Sequence, residues 1–410
     1  MVSSITSIIT GNPSVVAFDF DLNSAVLVLQ FDQIIDASTL NESAVTLQSA
    51  VAHRPMESVM LTVDRDTTRS PGHRISIQLS EQLTNEIKRI RNLCTSSQNC
   101  YMTVTQFLAH NSLGASNIPI NDGSAIIVRN FIADSTPPSL LHWTLEMNSG
   151  MMVLYFSETV DVTMFQYDQF TFQGVSQTTM YSLTNSVSTS TPAADVIIEL
   201  SDVDLNGIKA IPNLGTSEND TFLSVGNSAV VDMSGNVMVP IPSSFALIVA
   251  MLIPDFTSPE LVSFSLDIGS GLLTLTFSET VNGALFNFSG ITLFNGQVST
   301  FNGELQPAAS YRLTGGTWST FFSPVIEVQL TERDLSAINA LDNLATSINN
   351  TYITADSGSV FDAFHNPLVP ISLVDRLQVE DFCHSCTNGK INLNFRTAYD
   401  IYLQVSDKSL

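Results

Sequence analysis

Apolar and polar positions alternate through one stretch that the chain repeats. Residues 149–160 read Ser-Gly-Met-Met-Val-Leu-Tyr-Phe-Ser-Glu-Thr-Val, and residues 270–281 read Ser-Gly-Leu-Leu-Thr-Leu-Thr-Phe-Ser-Glu-Thr-Val. Period-two alternation after a Gly is the pattern of a half-buried strand entered from a turn. A weaker copy runs from Ser24 to Ile35, with Phe31 at the Phe position and Asp32-Gln33 in place of Ser-Glu. Another is Asn388 to Phe395, Asn-Gly-Lys-Ile-Asn-Leu-Asn-Phe. The spacing of about 120 residues is long enough for each unit to bury its own core and too long for a solenoid repeat. The expected organisation is a lead-in at 1–14, a divergent repeat at 15–133, repeats at 134–254 and 255–380, and the start of a truncated fourth repeat at 381–410.

A second shared block sits in the middle of each repeat. Ile75-Ser-Ile-Gln-Leu, Val196-Ile-Ile-Glu-Leu and Ile326-Glu-Val-Gln-Leu read as a strand. Helical spacing follows over Glu81 to Leu93, Asp202 to Leu214 and Glu332 to Leu344, with Asp204 and Asp334 near the start as favoured at a helix N-terminus. Next come a Thr-Ser turn (Thr95-Ser96, Thr216-Ser217, Thr346-Ser347) and another strand. Each repeat closes on an Asn- and Gly-rich turn: Leu113-Gly-Ala-Ser-Asn, Asp232-Met-Ser-Gly-Asn, Asp362-Ala-Phe-His-Asn. New repeats open on Asp134-Ser-Thr-Pro-Pro and Asp255-Phe-Thr-Ser-Pro, where Pro breaks ladder pairing. The predicted fold is all-β: tandem antiparallel Ig-like β-sandwiches, each with one short helical segment. The Cys-Trp-Cys spacing of antibody domains is absent.

The order Asp-x-Thr-x-Pro, Leu-Thr-Phe-Ser-Glu-x-Val, Asp-x-x-Gly-Asn resembles the Ig-like repeats of bacterial surface-layer and adhesin proteins. It is also similar to tandem modules of very large predicted extracellular surface proteins of simple eukaryotes. The resemblance covers the second and third repeats well, the first in part and the fourth by one strand. Its motifs are turns and strands, so it implies a fold and a setting: extracellular spacers, adhesins or filament components.

Charge narrows the function classes. A formal charge of −24 with 15 Lys and Arg argues against nucleic acid, whose affinity comes from phosphate neutralisation. Most of the basic residues fall in the first repeat; the second and third have only Lys209, Arg312, Arg333 and Arg376. The longest apolar run, Phe245 to Ile253, falls well short of the ~20 residues a spanning helix needs. Met1 to Thr10 lacks a basic segment and a continuous apolar core, so no signal peptide is legible. The chain reads as a piece of a longer cell-surface protein.

Cys94 and Cys100 flank the Thr-Ser turn of the first repeat and read either as a local disulfide suited to an oxidising compartment or as two buried thiols. Cys383-His-Ser-Cys386 reads as a structural disulfide or as a pairing with sequence beyond the chain; alone, a CxxC also suits redox chemistry or half a zinc site. Asn41, Asn219, Asn287 and Asn349 head glycosylation acceptor motifs, and Asn219 and Asn349 are repeat-equivalent. Calcium suits clustered carboxylates between domains, which nominates Asp134, Glu158, Asp232, Asp255, Glu279 and Asp362, with Asp381 as a further junction residue. The competing reading makes these acids turn formers, and Asp202-Val-Asp204 a helix cap. Six His residues at non-equivalent positions and the absence of GxSxG, HExxH or a phosphate loop leave no catalytic set. Glu158 and Glu279 imagined as a glycosidase pair fail on their repeat equivalence, since catalytic residues need not repeat.

The sequence therefore leads to a non-enzymatic extracellular structural or adhesive spacer with other modules of the same chain as partners. The alternative is a carbohydrate- or protein-binding module using exposed loops of one repeat, for which Trp318, Phe321 and Phe322 are the candidates; these rings also suit the core of a longer hairpin. A polysaccharide-active enzyme is a minor alternative.

Overall fold

The computed structural model describes residues 11–62 and 70–384. Three times the chain builds two facing sheets around one apolar core. In the second repeat Ala193–Glu199, Met151–Val160, Leu140–Glu146 and Met251–Ile253 form one sheet in that order. Met180–Ser182, Phe170–Gln173, Phe222–Val225 and Leu247–Ile248 form the other. All pairings are antiparallel except the last of the first sheet, where Met251–Ile253 lies parallel to Leu140–Glu146. The same two orders recur in the first and third repeats. This is an Ig-like all-β sandwich with a short helix in each repeat.

The alternation read from the sequence is the alternation of burial. Met152, Leu154 and Phe156 point into the core, as do Leu273, Leu275 and Phe277, while their neighbours are half-exposed. Trp143 ties the two sheets together: its ring is fully buried edge-on against Phe172, and its Nε1 donates to the Leu247 carbonyl at 2.9 Å. Apolar burial on this scale is the main source of each module's stability.

The helices are shorter than the pattern predicts: α1 is Glu81–Arg89, α2 Asp202–Lys209 and α3 Glu332–Asn339. After each helix the chain enters left-handed backbone, at Cys94 in the first repeat, Asn213 and Gly215 in the second, and Asn343 and Ala345 in the third. The distal Leu93, Leu214 and Leu344 stay buried from that turn instead of from a helix face. The cap is also reassigned. Ser80, Ser201 and Thr331 accept from the third helical N–H, which is the N-cap geometry.

Asp204 is fully buried and accepts from Tyr181, Thr184, Asn185 and Ser186, so it anchors the strand and loop opposite the helix. Asp334 does the same through Tyr311, Thr314 and Gly315. Burial opposes ionisation of Asp204, but the hydrogen bonds from Ser186 and Thr184 outweigh it and hold the carboxyl below its ordinary value.

Asp381 is not a junction residue. It opens the strand Asp381–Cys383, which pairs in parallel with Leu261–Asp267 and closes the third repeat as Met251–Ile253 closes the second. Residues 388–395 lie outside the described residues.

Replacing Trp143 with Ala removes the ring that both sheets share. The expected loss is about 3–5 kcal/mol from the second repeat, read as an earlier chemical-denaturation midpoint for that transition.

Candidate functional site

The six carboxylates nominated from sequence gather into two clusters, Asp134–Glu158–Asp232 and Asp255–Glu279–Asp362, one at each junction between repeats. A lysine from the preceding repeat enters each of them. Lys88, at the end of α1, lies 2.8 Å from Asp134 Oδ2 and 2.6 Å from Glu158 Oε2. Lys209, at the end of α2, lies 2.5 Å from Asp255 Oδ2 and 2.6 Å from Glu279 Oε2. The Lys209 side chain is 4% exposed and that of Asp255 0%.

Each cluster is assembled from three elements. The junction aspartate closes an Asx turn on the linker: Thr136 N donates to Asp134 and Thr257 N to Asp255. The glutamate extends from the end of the long strand. The third acid holds the closing turn: Asp232 Oδ1 accepts from the N–H groups of Ser234 and Asn236 and its Oδ2 from the Asn236 amide, and Asp362 repeats this with Phe364 and Asn366. With Asp232 and Asp362 occupied by their turns, the other two acids take the ammonium.

The lysine does not act alone. One helical turn earlier, Asn85 accepts from Thr159 N at 2.9 Å and its carbonyl accepts from the Thr159 hydroxyl at 3.0 Å. Asn206 and Thr280 make the same two bonds at 2.7 and 3.0 Å. Residues three apart share a helix face, so Asn-x-x-Lys reads two successive strand residues, Glu and Thr. Lysine and glutamate are 70 positions apart at both junctions. The repeated Ser-Glu-Thr-Val is thereby accounted for residue by residue. Ser157 and Ser278 accept from the linker N–H groups of Ser139 and Glu260, Glu meets Lys, Thr meets Asn, and Val160 and Val281 are buried in the core.

Linker residues are held from the other side by Asn23, which accepts from Ser135 N and the Thr136 hydroxyl, and by Asn148, which accepts from Phe256 N and the Thr257 hydroxyl. The first junction adds Arg91, 2.8 Å from Asp161. At the second, Phe364 of the third repeat packs against the core of the second.

Electrostatics follow from one ammonium among three acids. Burial pushes the Glu158 carboxyl up to about 7, against the pull of Lys88 and with the neighbouring Asp134 and Asp232 adding to the rise. Burial likewise pushes the Glu279 carboxyl up to about 7, against the pull of Lys209 and with the neighbouring Asp255 adding to the rise. Burial opposes the charged form of Lys88 and Lys209, but their hydrogen bonds to the two carboxylates outweigh it and raise both above the ordinary lysine value.

Other nominated residues sit apart from these clusters. Cys94 and Cys100 are disulfide-bonded. Cys383 is also disulfide-bonded, and Cys386 lies outside the described residues. Asn219, Asn287 and Asn349 are exposed, and Asn41 is half-buried with its Oδ1 accepting from Ser43. Trp318 packs edge-on against Phe286 and Phe288 and donates to the Gly283 carbonyl, so it completes a core; Phe322 is half-buried in a strand and Phe321 is 62% exposed. The decisive residues that composition alone passed over are Asn85, Lys88, Asn206 and Lys209. Of four lysines in the sequence, two hold this one equivalent place.

No protein-family model matches the chain, and no curated protein matches it in sequence. Among solved structures it is similar to a fragment of Escherichia coli alpha-2-macroglobulin spanning domains MG0-NIE-MG1, at 10% identity over 86% of this chain and 97% of that one, with a TM-score of 0.22. It is similar to the N-terminal four Ig domains of Dscam1 isoform 4.4, at 10% identity over 92% and 77% of the two chains with a TM-score of 0.17. It is similar to domains 1–6 of the surface layer protein SbsC, at 9% identity over 93% and 55% with a TM-score of 0.18. Chains with TM-scores this low do not superpose as wholes, so the fold rests on this chain's own strand register.

Two outcomes are expected. Lys209→Met strands buried carboxylates without a counter-charge and costs about 3–5 kcal/mol, measured by denaturation of the full chain. Glu158 and Glu279 have folded pKa values above their ordinary 4.5. Their contribution is therefore fully present below about pH 4.5 and is lost as pH rises through about 7. The melting temperature should fall from pH 5 to pH 8, and Glu158→Gln/Glu279→Gln should flatten that fall. Asp204 and Asp334, lowered below 3.8, lose their contribution only on the acid side of this window.

Proposed function

We propose that the chain is a non-enzymatic structural spacer, a run of sandwich modules held at fixed angles within a longer extracellular surface protein. The observation that carries this reading is the buried lysine at both junctions. An ammonium with two carboxylates, both from the next module, has to stay in place: separating the modules would break the hydrogen bonds of Asn85 and Asn206 and leave the buried lysine without its partners. Module contacts of this kind resist bending more than a bare linker does.

The ammonium also stands where a divalent ion would have to bind, between the junction aspartate and the strand glutamate. In this reading lysine supplies the cation and calcium is not required. Glu158 and Glu279 are committed to the same bond at equivalent places, which favours a structural role over glycoside chemistry. The disulfide of the first repeat and the exposed sequons suit an oxidising, glycosylating route, and the acidic surface suits partners other than nucleic acid. Among the described residues no helix is long and apolar enough to cross a membrane.

A second reading, a binding module, draws on the third repeat. Its added hairpin, Val298–Phe301 with Glu304–Pro307, carries Phe301 at 68% exposure, and Phe321 lies exposed in the neighbouring insertion.

Small-angle scattering of the full chain distinguishes the readings. The wild type should give one extended particle whose distance distribution and melting temperature do not change between calcium and chelator. Lys88→Met/Lys209→Met should broaden the distribution. A wild type that is already flexible contradicts the spacer, and a rise in stiffness with calcium restores the metal site.

A further inference from the structure

The two outer faces of the described repeats lack the residues that make the inner junctions. In the third repeat Asn206 and Lys209 of α2 are replaced by Ser336 and Asn339 of α3, and the linker-holding Asn148 is replaced by Gly269. A Cβ at Gly269 would lie 2.7 Å from the His384 carbonyl, so the His384 backbone leaves no space there for an Asn side chain. At the opposite end, the first repeat has the turn and strand of the cluster but not its charge. Asn111 stands for Asp232, and Gln33 stands for Glu158.

The turn is unchanged: Asn111 Oδ1 accepts from the N–H groups of Leu113 and Ala115 at 3.0 and 2.9 Å, as Asp232 accepts from Ser234 and Asn236. The amide then donates to Gln33 Oε1 at 3.0 Å, and both side chains donate to the Gly11 carbonyl. Both residues remain buried. Two buried amides satisfy each other with no ammonium present, whereas two buried carboxylates would not.

Acid in the socket thus accompanies lysine in the plug at both inner junctions, and amides fill the equivalent socket of the first repeat. We infer that the junction is a charge-matching code. A socket of Asp, Glu and Asp accepts only a module face whose helix ends in Asn-x-x-Lys, a socket built of Gln33 and Asn111 accepts a neutral face, and the match decides which faces can pack as neighbours. The partner of an acidic socket is therefore another sandwich module with a lysine at the end of its helix. The partner fitting the first repeat presents no ammonium there, as the third repeat's α3 does not. This rests on the junction reading above and adds to it which modules can be neighbours.

A double-mutant cycle on the full chain tests the code. The plug variant is Lys209→Asn. The socket variant is Asp255→Asn/Glu279→Gln/Asp362→Asn, which installs the amide chemistry of the first repeat. Each alone should lower the melting temperature of the second and third repeats by several degrees, because one side of the junction loses its counterpart. Combined, they should melt above both halves. A combined variant that melts lower than either, with additive losses, or that does not fold, overturns the inference. The same cycle at the first junction, Lys88→Asn against Asp134→Asn/Glu158→Gln/Asp232→Asn, reads the coupling independently, and matching requires recovery there too. The cycle reads stability and scattering reads shape. Additive losses with a stiff particle would therefore sink the code alone, and coupled losses with a flexible particle would sink the spacer alone.

Discussion

A buried ammonium cannot be left without carboxylates, nor buried carboxylates without a cation, and this constraint sets the joints of the molecule. Neither partner set is complete within one module. Lys88 and Lys209 come from the helix of one repeat; Asp134, Glu158, Asp255 and Glu279 come from the linker and strand of the next. A buried ion pair adds little net stability over an apolar contact, yet losing one side of it is costly. Its effect is therefore on geometry: it penalises every arrangement of the two modules except the one that pairs the charges. The neighbouring Asn–Thr bonds add direction, since a backbone N–H and a hydroxyl must both be met by one residue.

The short helix, an unusual part of a sandwich, follows from the same constraint. Its N-terminal half belongs to the module's interior: Ser201 caps it, and Asp204 ties it to the strand and loop across the sandwich. Its C-terminal half faces outward and carries the plug. The helix thus links the core of one module to the strand of the next, and its stop at Lys209 brings the ammonium to the linker. Two structural features that the repeats share, the capped helix and the Ser-Glu-Thr-Val strand end, are the two halves of one joint.

Much of the fold was legible in the sequence, and the joint was legible in half. Strands such as Met151–Val160 and Leu272–Asn282 appear because a sheet with one face in the core writes its burial into period two. The acids are legible because they recur at equivalent places, Asp134 and Asp255 beside the Pro-containing linkers, Glu158 and Glu279 at the strand end, Asp232 and Asp362 in the closing turn, and they meet at the junctions. The lysines escaped because a sparse basic residue reads as composition; the informative signal was that Asn85-x-x-Lys88 and Asn206-x-x-Lys209 stand at equal distance before Glu158 and Glu279. The sequence extends the helices past their ends because Leu93 and Leu214 continue a helical spacing from inside a left-handed turn. Asp381 resembles a junction residue because it is an Asp near a repeat end, and only strand register, which puts it opposite Ser265, places it inside the third repeat.

The most direct test of the fixed joint is the relative orientation of the second and third repeats in solution, from residual dipolar couplings of the full chain. The account predicts one alignment tensor for both repeats, with Lys209→Met splitting it into two of unequal magnitude. Different tensors in the wild type, or one tensor that survives loss of Lys209, would contradict the claim that the buried lysine fixes the junction.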